Sequence, residues 1–341
     1  MIRSRRAVLS AGSIGLGLIG RPSLGDSVPA WRGKKRDYSG LEAEIRELFA
    51  ELPEQKAFKI WAPATEDAPE FLAELHGRQR LFSASTNKAF ILCERLRQLD
   101  SPTIEKQLVT HELTLDSTVW SFGSDVFNPP DLSGLISERT AMEAMITHSD
   151  NTGTDMVLKE AGAHNVRHFI ASIGLKSTMI PDSTRVLSGY LLGAPNYKTI
   201  TWDELVSLAT GSLVYPALNN VETLASSADD LVSFFARALQ GRFFRSQQTL
   251  QQFRRILSLG DITYMVPFPL GASVFGKAGY FDSPGDHARC IAGGMYFRDR
   301  WVYFATILNW TAAELDDSET VAAYFRATRG AIALVQDRLG C

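Results

Sequence analysis

Cysteine is scarce in this 341-residue chain: Cys93, Cys290 and Cys341 are the only three. None forms a C-x-x-C pair and no H-E-x-x-H occurs, so neither a disulfide framework nor a structural zinc site is expected. Cys93 lies in an apolar helical run and Cys290 in a strand-like run, as small core residues do. No long basic run is present and the net charge is −3, which speaks against a nucleic-acid partner. No G-x-S-x-G occurs, so a nucleophile held on a sharp strand-to-helix elbow has no support. Long apolar runs are also missing; the nearest to one is short and broken by glycine.

That stretch stands at the start, in MIRSRRAVLSAGSIGLGLIG. Arg3, Arg5 and Arg6 precede a mildly apolar segment, and the pattern resembles a twin-arginine export signal. Val28-Pro29-Ala30 offers small residues for cleavage, so residues 1–30 are expected to be removed and the mature chain to begin near Trp31. No cysteine follows the apolar region, and a stable membrane anchor is not expected. Export to the periplasm or the exterior is the localisation this predicts.

Apolar spacing predicts a helix over Leu41–Leu52, stopped by Pro53, and a strand over Ala57–Ala62. Arg78–Ser83 reads as a second strand, with a helix opening at Ser85. Between residues 101 and 265 the periodicity is mostly helical: Glu138–Thr147, Asp155–Ala161, Val166–Ile173, Trp202–Thr210 and Ala228–Leu239. Strands return over Gly271–Tyr280, Ala288–Phe297 and Trp301–Leu308, with Arg298-Asp299-Arg300 as a turn, and a helix closes the chain over Ser318–Leu339. A sheet drawing strands from both chain ends makes the helical stretch an insertion beside it. The expected architecture is a two-lobed α/β (α+β) fold spanning 31–341 as a single domain. Its antiparallel sheet lobe covers 40–100 and 266–341, flanked by helices, and its helical lobe covers 101–265.

Three short motifs bear chemistry. Ser85-Thr86-Asn87-Lys88 is an S-x-x-K at a strand-to-helix junction, where free backbone N–H groups favour developing negative charge. The apolar Ala89, Phe90, Ile91, Leu92 and Leu96 mark the helix as buried, so Lys88 should be desolvated and its pKa lowered, fit to act as a base. Ser149-Asp150-Asn151 precedes a helix starting near Thr152, with Asp150 as N-cap and the other two side chains facing outward. Lys277-Ala278-Gly279 sits on a strand and is common by itself.

In this order and spacing the three motifs resemble the signature set of the serine β-lactamase and penicillin-binding superfamily, and MEAMITHSDNTGTDMVLKEAG is most like its class A branch. The resemblance covers about residues 40–339. It implies an acyl-serine mechanism with Ser85 as nucleophile, Lys88 as its base and Ser149 as proton relay. Asn151 would bind a substrate amide. Lys277, with Ala278 and Gly279, would supply positive charge for a substrate carboxylate and support Ser149, while the backbone N–H groups of Ser85 and Tyr280 would hold the oxyanion. The substrate implied is a small β-lactam or a peptidoglycan-like amide or ester, with no cofactor or metal; a monomer is expected.

Two departures qualify the resemblance. Ala278 stands where class A enzymes usually carry a hydroxyl, which removes one hydrogen bond to a carboxylate, about 1.5–3 kcal/mol for a charged partner. Class A enzymes also deacylate with a glutamate between the second and third motifs, yet no glutamate occurs from Ala161 to Asp203. PDSTRVLSGYLLGAPN offers Asp182 as a substitute base, plus Arg185 and Tyr190. A peptidoglycan peptidase, an esterase, or a penicillin-binding sensor that acylates without turnover are therefore the alternatives. His111, His148 and His287 have no partner legible in sequence, and Trp120 and Phe122 serve as cleft wall or core.

Overall fold

The first strand of the chain pairs with the last, so the two chain ends build one sheet. The computed structural model describes residues 38–209 and 211–339; the expected export segment 1–30 and Cys341 lie outside these residues. The strands are β1 (Lys56–Ala62), β2 (Phe71–Leu75), β3 (Leu81–Phe82), β4 (Glu112–Leu115), β5 (Gly134–Ser137), β6 (Ala225–Ser226), β7 (Ser273–Ser283), β8 (Asp286–Phe297) and β9 (Arg300–Trp310). Five of them form an antiparallel sheet in the order β2-β1-β9-β8-β7, which leaves β7 at one edge. The β8–β9 turn is two residues, Arg298 and Asp299, both at positive φ (45° and 61°), the geometry that matches strand twist; Arg300 already belongs to β9.

Both faces of the sheet are covered. The helices α1 (Leu41–Leu48), α2 (Lys88–Gln98), α3 (Ile104–Thr110), α4 (Glu138–Thr147), α5 (Asn151–Ala161) and α6 (Ala163–Ser172) are followed by α7 (Thr184–Leu191), α8 (Trp202–Leu208), α9 (Ala228–Leu239), α10 (Gln247–Ser258), α11 (Ile262–Met265) and α12 (Ser318–Leu339). One face buries Phe58, Ile60, Phe304 and Leu308 against Leu41 and Ile45 of α1 and Tyr324, Ala331 and Val335 of α12. The alternate residues Ala57, Cys290, Ala305 and Ile307 turn to the other face, where Phe90 of α2 and Phe234 and Phe235 of α9 cover them. Cys93 and Cys290 are free and buried, as small core residues.

The second N-terminal strand of the sheet is not where the periodicity predicts it. Phe71–Leu75 pairs with β1, while of the expected Arg78–Ser83 only Leu81 and Phe82 are extended, in a side ladder with β6. His76, at φ 50°, turns the chain off the sheet before Arg78, so the later residues cannot join it. Helix α1 is shorter than expected, and Phe49 and Leu52 fill the core from the turn that follows it. α4, α9 and α12 match their predicted bounds, and α2 is buried from Lys88 through Leu96.

Candidate active site

Ser85 lies in a 3-10 turn, Ala84–Asn87, that leads directly into α2, so Lys88 is the first residue of the helix. Ala84 holds φ 48°, a left-handed conformation that costs a residue with a Cβ about 1–3 kcal/mol. The turn is fastened by Ser83, whose Oγ donates to Asn87 Oδ1 (2.8 Å), and by Asn87 Nδ2, which donates to Ala225 O (3.0 Å). The Ser85 side chain is half-buried and reaches the surface.

The second motif is built by the start of α5. Asp150 caps the helix by accepting from Gly153 N (2.7 Å) and takes Val126 N and Phe127 N (3.0 Å each) on its other oxygen. The preceding Ser149 sits at φ 58°, which turns its carbonyl inward toward α2. Lys88, with no exposed surface, donates from Nζ to Ser149 O (2.5 Å) and Asn151 Oδ1 (2.7 Å), and lies 3.3 Å from Ser149 Oγ. Burial, and then the nearby charge of Lys277, pull the Lys88 pKa down to about 7, against the opposing pull of Asp150, Asp155 and Asp261.

The amine of Lys88 is therefore engaged differently from the expectation. Among the described residues no side-chain hydrogen bond joins it to Ser85. Two buried oxygens, a backbone carbonyl and a side-chain amide, take its hydrogens, because burial leaves them no water to bond. Asn151 is likewise occupied at both ends: its Nδ2 donates to Phe122 O (2.7 Å).

The third motif arrives on the sheet edge. A Cβ at Gly279 would lie 2.9 Å from Ser85 N, 2.8 Å from Thr86 N and closer still to Ser83 O. Only glycine lets β7 press against the Ser85 turn. Ala278 N points off the free edge, donating to Asp261 Oδ1 (2.9 Å), so Tyr280 N, two residues on, faces the same side. The N–H of Ser85 thus stands beside the strand one residue before Tyr280.

Lys277 does not stand open. Like Lys88 it has no exposed surface; its Nζ donates to Asp261 Oδ2 (2.5 Å) and Ala278 O (2.8 Å). Burial lowers its pKa, and Asp261 opposes that shift. Asp261 sits next to Gly260, where a Cβ would collide with Gly276 O, so the loop before α11 lies flat on β7. Neither Asp261 nor its pairing was legible in the sequence, since nothing in LSLGDITYM marks it.

The segment that would bear a deacylating carboxylate is turned to other uses. Asp182 is ion-paired with Arg167 (2.8 Å) and Lys198 (2.6 Å), which hold its carboxyl below the usual range, Lys198 most. Lys198 also bonds Glu222, and this cluster borders its own hollow with Ile170 and Met179. Arg185 donates to Ser117 O (2.6 Å) and Thr118 O (2.7 Å), and Tyr190 stacks on Tyr215. A second unforeseen carboxylate, Asp155, accepts from Thr184 N (2.7 Å) and Arg185 N (3.1 Å) and fastens α7 to α5; burial raises its pKa to about 6.

Phe122, Asn151, Leu191, Phe281 and Asp282 border a hollow of about 400 Å³ beside the second motif, and Trp120 packs on Trp202. A hollow of about 740 Å³ near Tyr215 and Trp310 holds none of the three motifs. His111 pairs with Glu138, His148 is exposed, and His287 bonds Asp282; among the described residues none of the three hydrogen-bonds Ser85. Among the described residues no group of three or more His, Cys, Asp or Glu is placed to hold a metal, and no helix is long and apolar enough to cross a membrane.

Solved structures share the fold. A beta-lactamase from Sphaerobacter thermophilus DSM 20745 is 19% identical over 89% of this chain and 99% of its own, with a TM-score of 0.63. One from Chitinophaga pinensis DSM 2588 is 15% identical over 88% and 99%, with a TM-score of 0.66. A mutant of PBP-A, solved as an acyl-enzyme complex with penicillin G, is 16% identical over 89% and 99%, with a TM-score of 0.60. No curated protein matches the chain. Residues 40–326 match the beta-lactamase enzyme family, and the protein belongs to that family of serine-hydrolase-like, acyl-transfer enzymes.

Proposed function

We propose that the protein is a serine acyl-transfer enzyme of the class A β-lactamase type whose acyl-enzyme turns over slowly. Ser85 Oγ bonds to the carbonyl carbon of an amide or ester, and its proton passes to the free amine of Lys88. The oxyanion collects at the N–H groups of Ser85 and Tyr280. The bond to the leaving atom then breaks as Ser149 Oγ protonates it, and the Lys88 ammonium restores the Ser149 proton.

One observation carries this reading: a fully buried Lys88, its pKa drawn down to about 7, in contact with Ser149 and Asn151. As a neutral amine it has two hydrogens, which suit its two short contacts, and a lone pair left to take the Ser85 proton. On this reading the Ser85–Lys88 hydrogen bond forms in the substrate complex, as catalytic hydrogen bonds often do.

Slow turnover rests on the missing base. No glutamate occurs from Ala161 to Asp203, and Asp182 is committed to Arg167 and Lys198. PBP-A, with the same fold, has been trapped as a penicillin acyl-enzyme in mutant form. The arginine-led N-terminus supports action outside the cytoplasm.

A chromogenic cephalosporin tests the reading. The expected trace is a burst of about one equivalent followed by turnover well below about 1 s⁻¹, the low end of ordinary enzymes. Sustained fast hydrolysis would show that a deacylating base is present after all.

A further inference from the structure

We propose that this active site takes an acyl donor with no carboxylate beside the scissile bond, because Asp261 already occupies the β7 donors that would bind one. The inference rests on the acyl-transfer reading above and narrows its substrate class.

A carboxylate lying along β7 needs donors there, and the strand has given its own away. Asp261 bridges Lys277 Nζ (2.5 Å) and Ala278 N (2.9 Å), one oxygen to each. Both side chains are buried, Lys277 completely and Asp261 at 2% exposure, so the pair is closed to solvent. Ala278 contributes no hydroxyl. Arg289, across from Tyr280 and held bidentate by Asp282, lies with Ala278 on the face turned to α12, opposite Gly279 and Ser85, and offers no donor there. Lys88, the other buried lysine of the site, spends its hydrogens on Ser149 and Asn151.

A substrate carboxylate at this edge would find Lys277 and Ala278 N already taken by Asp261, with a buried ion pair to break before Lys277 could respond. An uncharged ester or amide meets no such cost.

The test compares penicillin G with its methyl ester, which differ only in that carboxylate. The rate of Ser85 labelling is followed by intact mass and peptide mapping. In the wild type the ester is expected to label Ser85 at least as fast as the acid. Asp261→Asn, which releases Lys277, should raise the acid-to-ester rate ratio about tenfold or more, the scale of one charge-assisted hydrogen bond. A purely structural role would slow both probes alike and leave the ratio unmoved. Should Asp261→Asn not fold, Asp261→Ser is read the same way, and the wild-type comparison needs no variant.

A wild type labelled tenfold faster by the acid, or a folded variant with an unchanged ratio, overturns the inference while the acyl-transfer reading stands. Labelling of Ser85 by neither probe overturns both.

Discussion

Lys88 Nζ lies 2.7 Å from Asn151 Oδ1, a hydrogen bond across 63 residues of sequence that ties the first turn of α2 to the first turn of α5. Together with the Ser149 carbonyl it holds a buried amine at the base of the cleft. A cation there is poorly tolerated, and the low pKa follows from that.

The pH dependence of acylation follows directly. The reactive form is the free amine, so the rate should rise with pH, reach half its plateau near the Lys88 pKa of about 7, and level off above it. Stopped-flow acylation measured from acid to mildly alkaline pH gives the profile. A flat profile, or one falling as pH rises, would remove Lys88 as the base.

Gly279 is the residue through which the sheet edge meets the Ser85 turn. In Gly279→Ala the new methyl would strike Ser83 O, Ser85 N and Thr86 N, and the turn must move. Overpacking of this kind costs about 1–3 kcal/mol, and a displacement near 1 Å at the reacting atoms costs about 100-fold in rate. Denaturant unfolding and acylation kinetics read the two effects separately. A variant acylating at the wild-type rate would show that β7 does not position the nucleophile.

The central motifs were legible because each has a local physical cause. Ser85 and Lys88 flank a helix start, Asp150 caps a helix, and the strands of both chain ends alternate apolar residues. Strand β2 was not, since Phe71–Leu75 is a short edge strand whose pattern is mixed and whose one partner among the described strands, β1, is set by tertiary pairing. Asp155 and Asp261 escaped for a related reason. Their partners, Thr184 N and Lys277, lie 29 and 16 residues away, a distance no periodicity reports. The Lys88 hydrogens likewise went to Ser149 and Asn151 because of a left-handed turn at Ser149 that sequence does not announce.

Asp182 belongs to an ion-paired surface cluster, and its removal should leave the chemistry alone. Asp182→Asn is expected to keep the deacylation rate within about twofold and to lose about 0–1 kcal/mol of stability, the scale of partly exposed pairs. Decay of the isolated acyl-enzyme, followed by mass, decides it. A tenfold slower decay in the variant would make Asp182 the deacylating base.

Glu138 has no exposed surface and binds Arg95 of α2 through Nε (2.5 Å) and His111 through Nδ1 (2.8 Å). Glu138→Ala would leave the Arg95 guanidinium, 11% exposed, buried without its main partner. Destabilisation of about 3–5 kcal/mol is expected on urea unfolding. A loss under about 1 kcal/mol would place the pair among surface bridges instead.

Covalent capture at Ser85 is measured most directly by peptide mapping after incubation with a β-lactam, in the wild type and in Ser85→Ala. The wild type should carry a single acyl group on the peptide containing Ser85, and Ser85→Ala should carry none while keeping the native fold by circular dichroism. An adduct on another residue, or one that survives in folded Ser85→Ala, would contradict the assignment of Ser85 as the nucleophile.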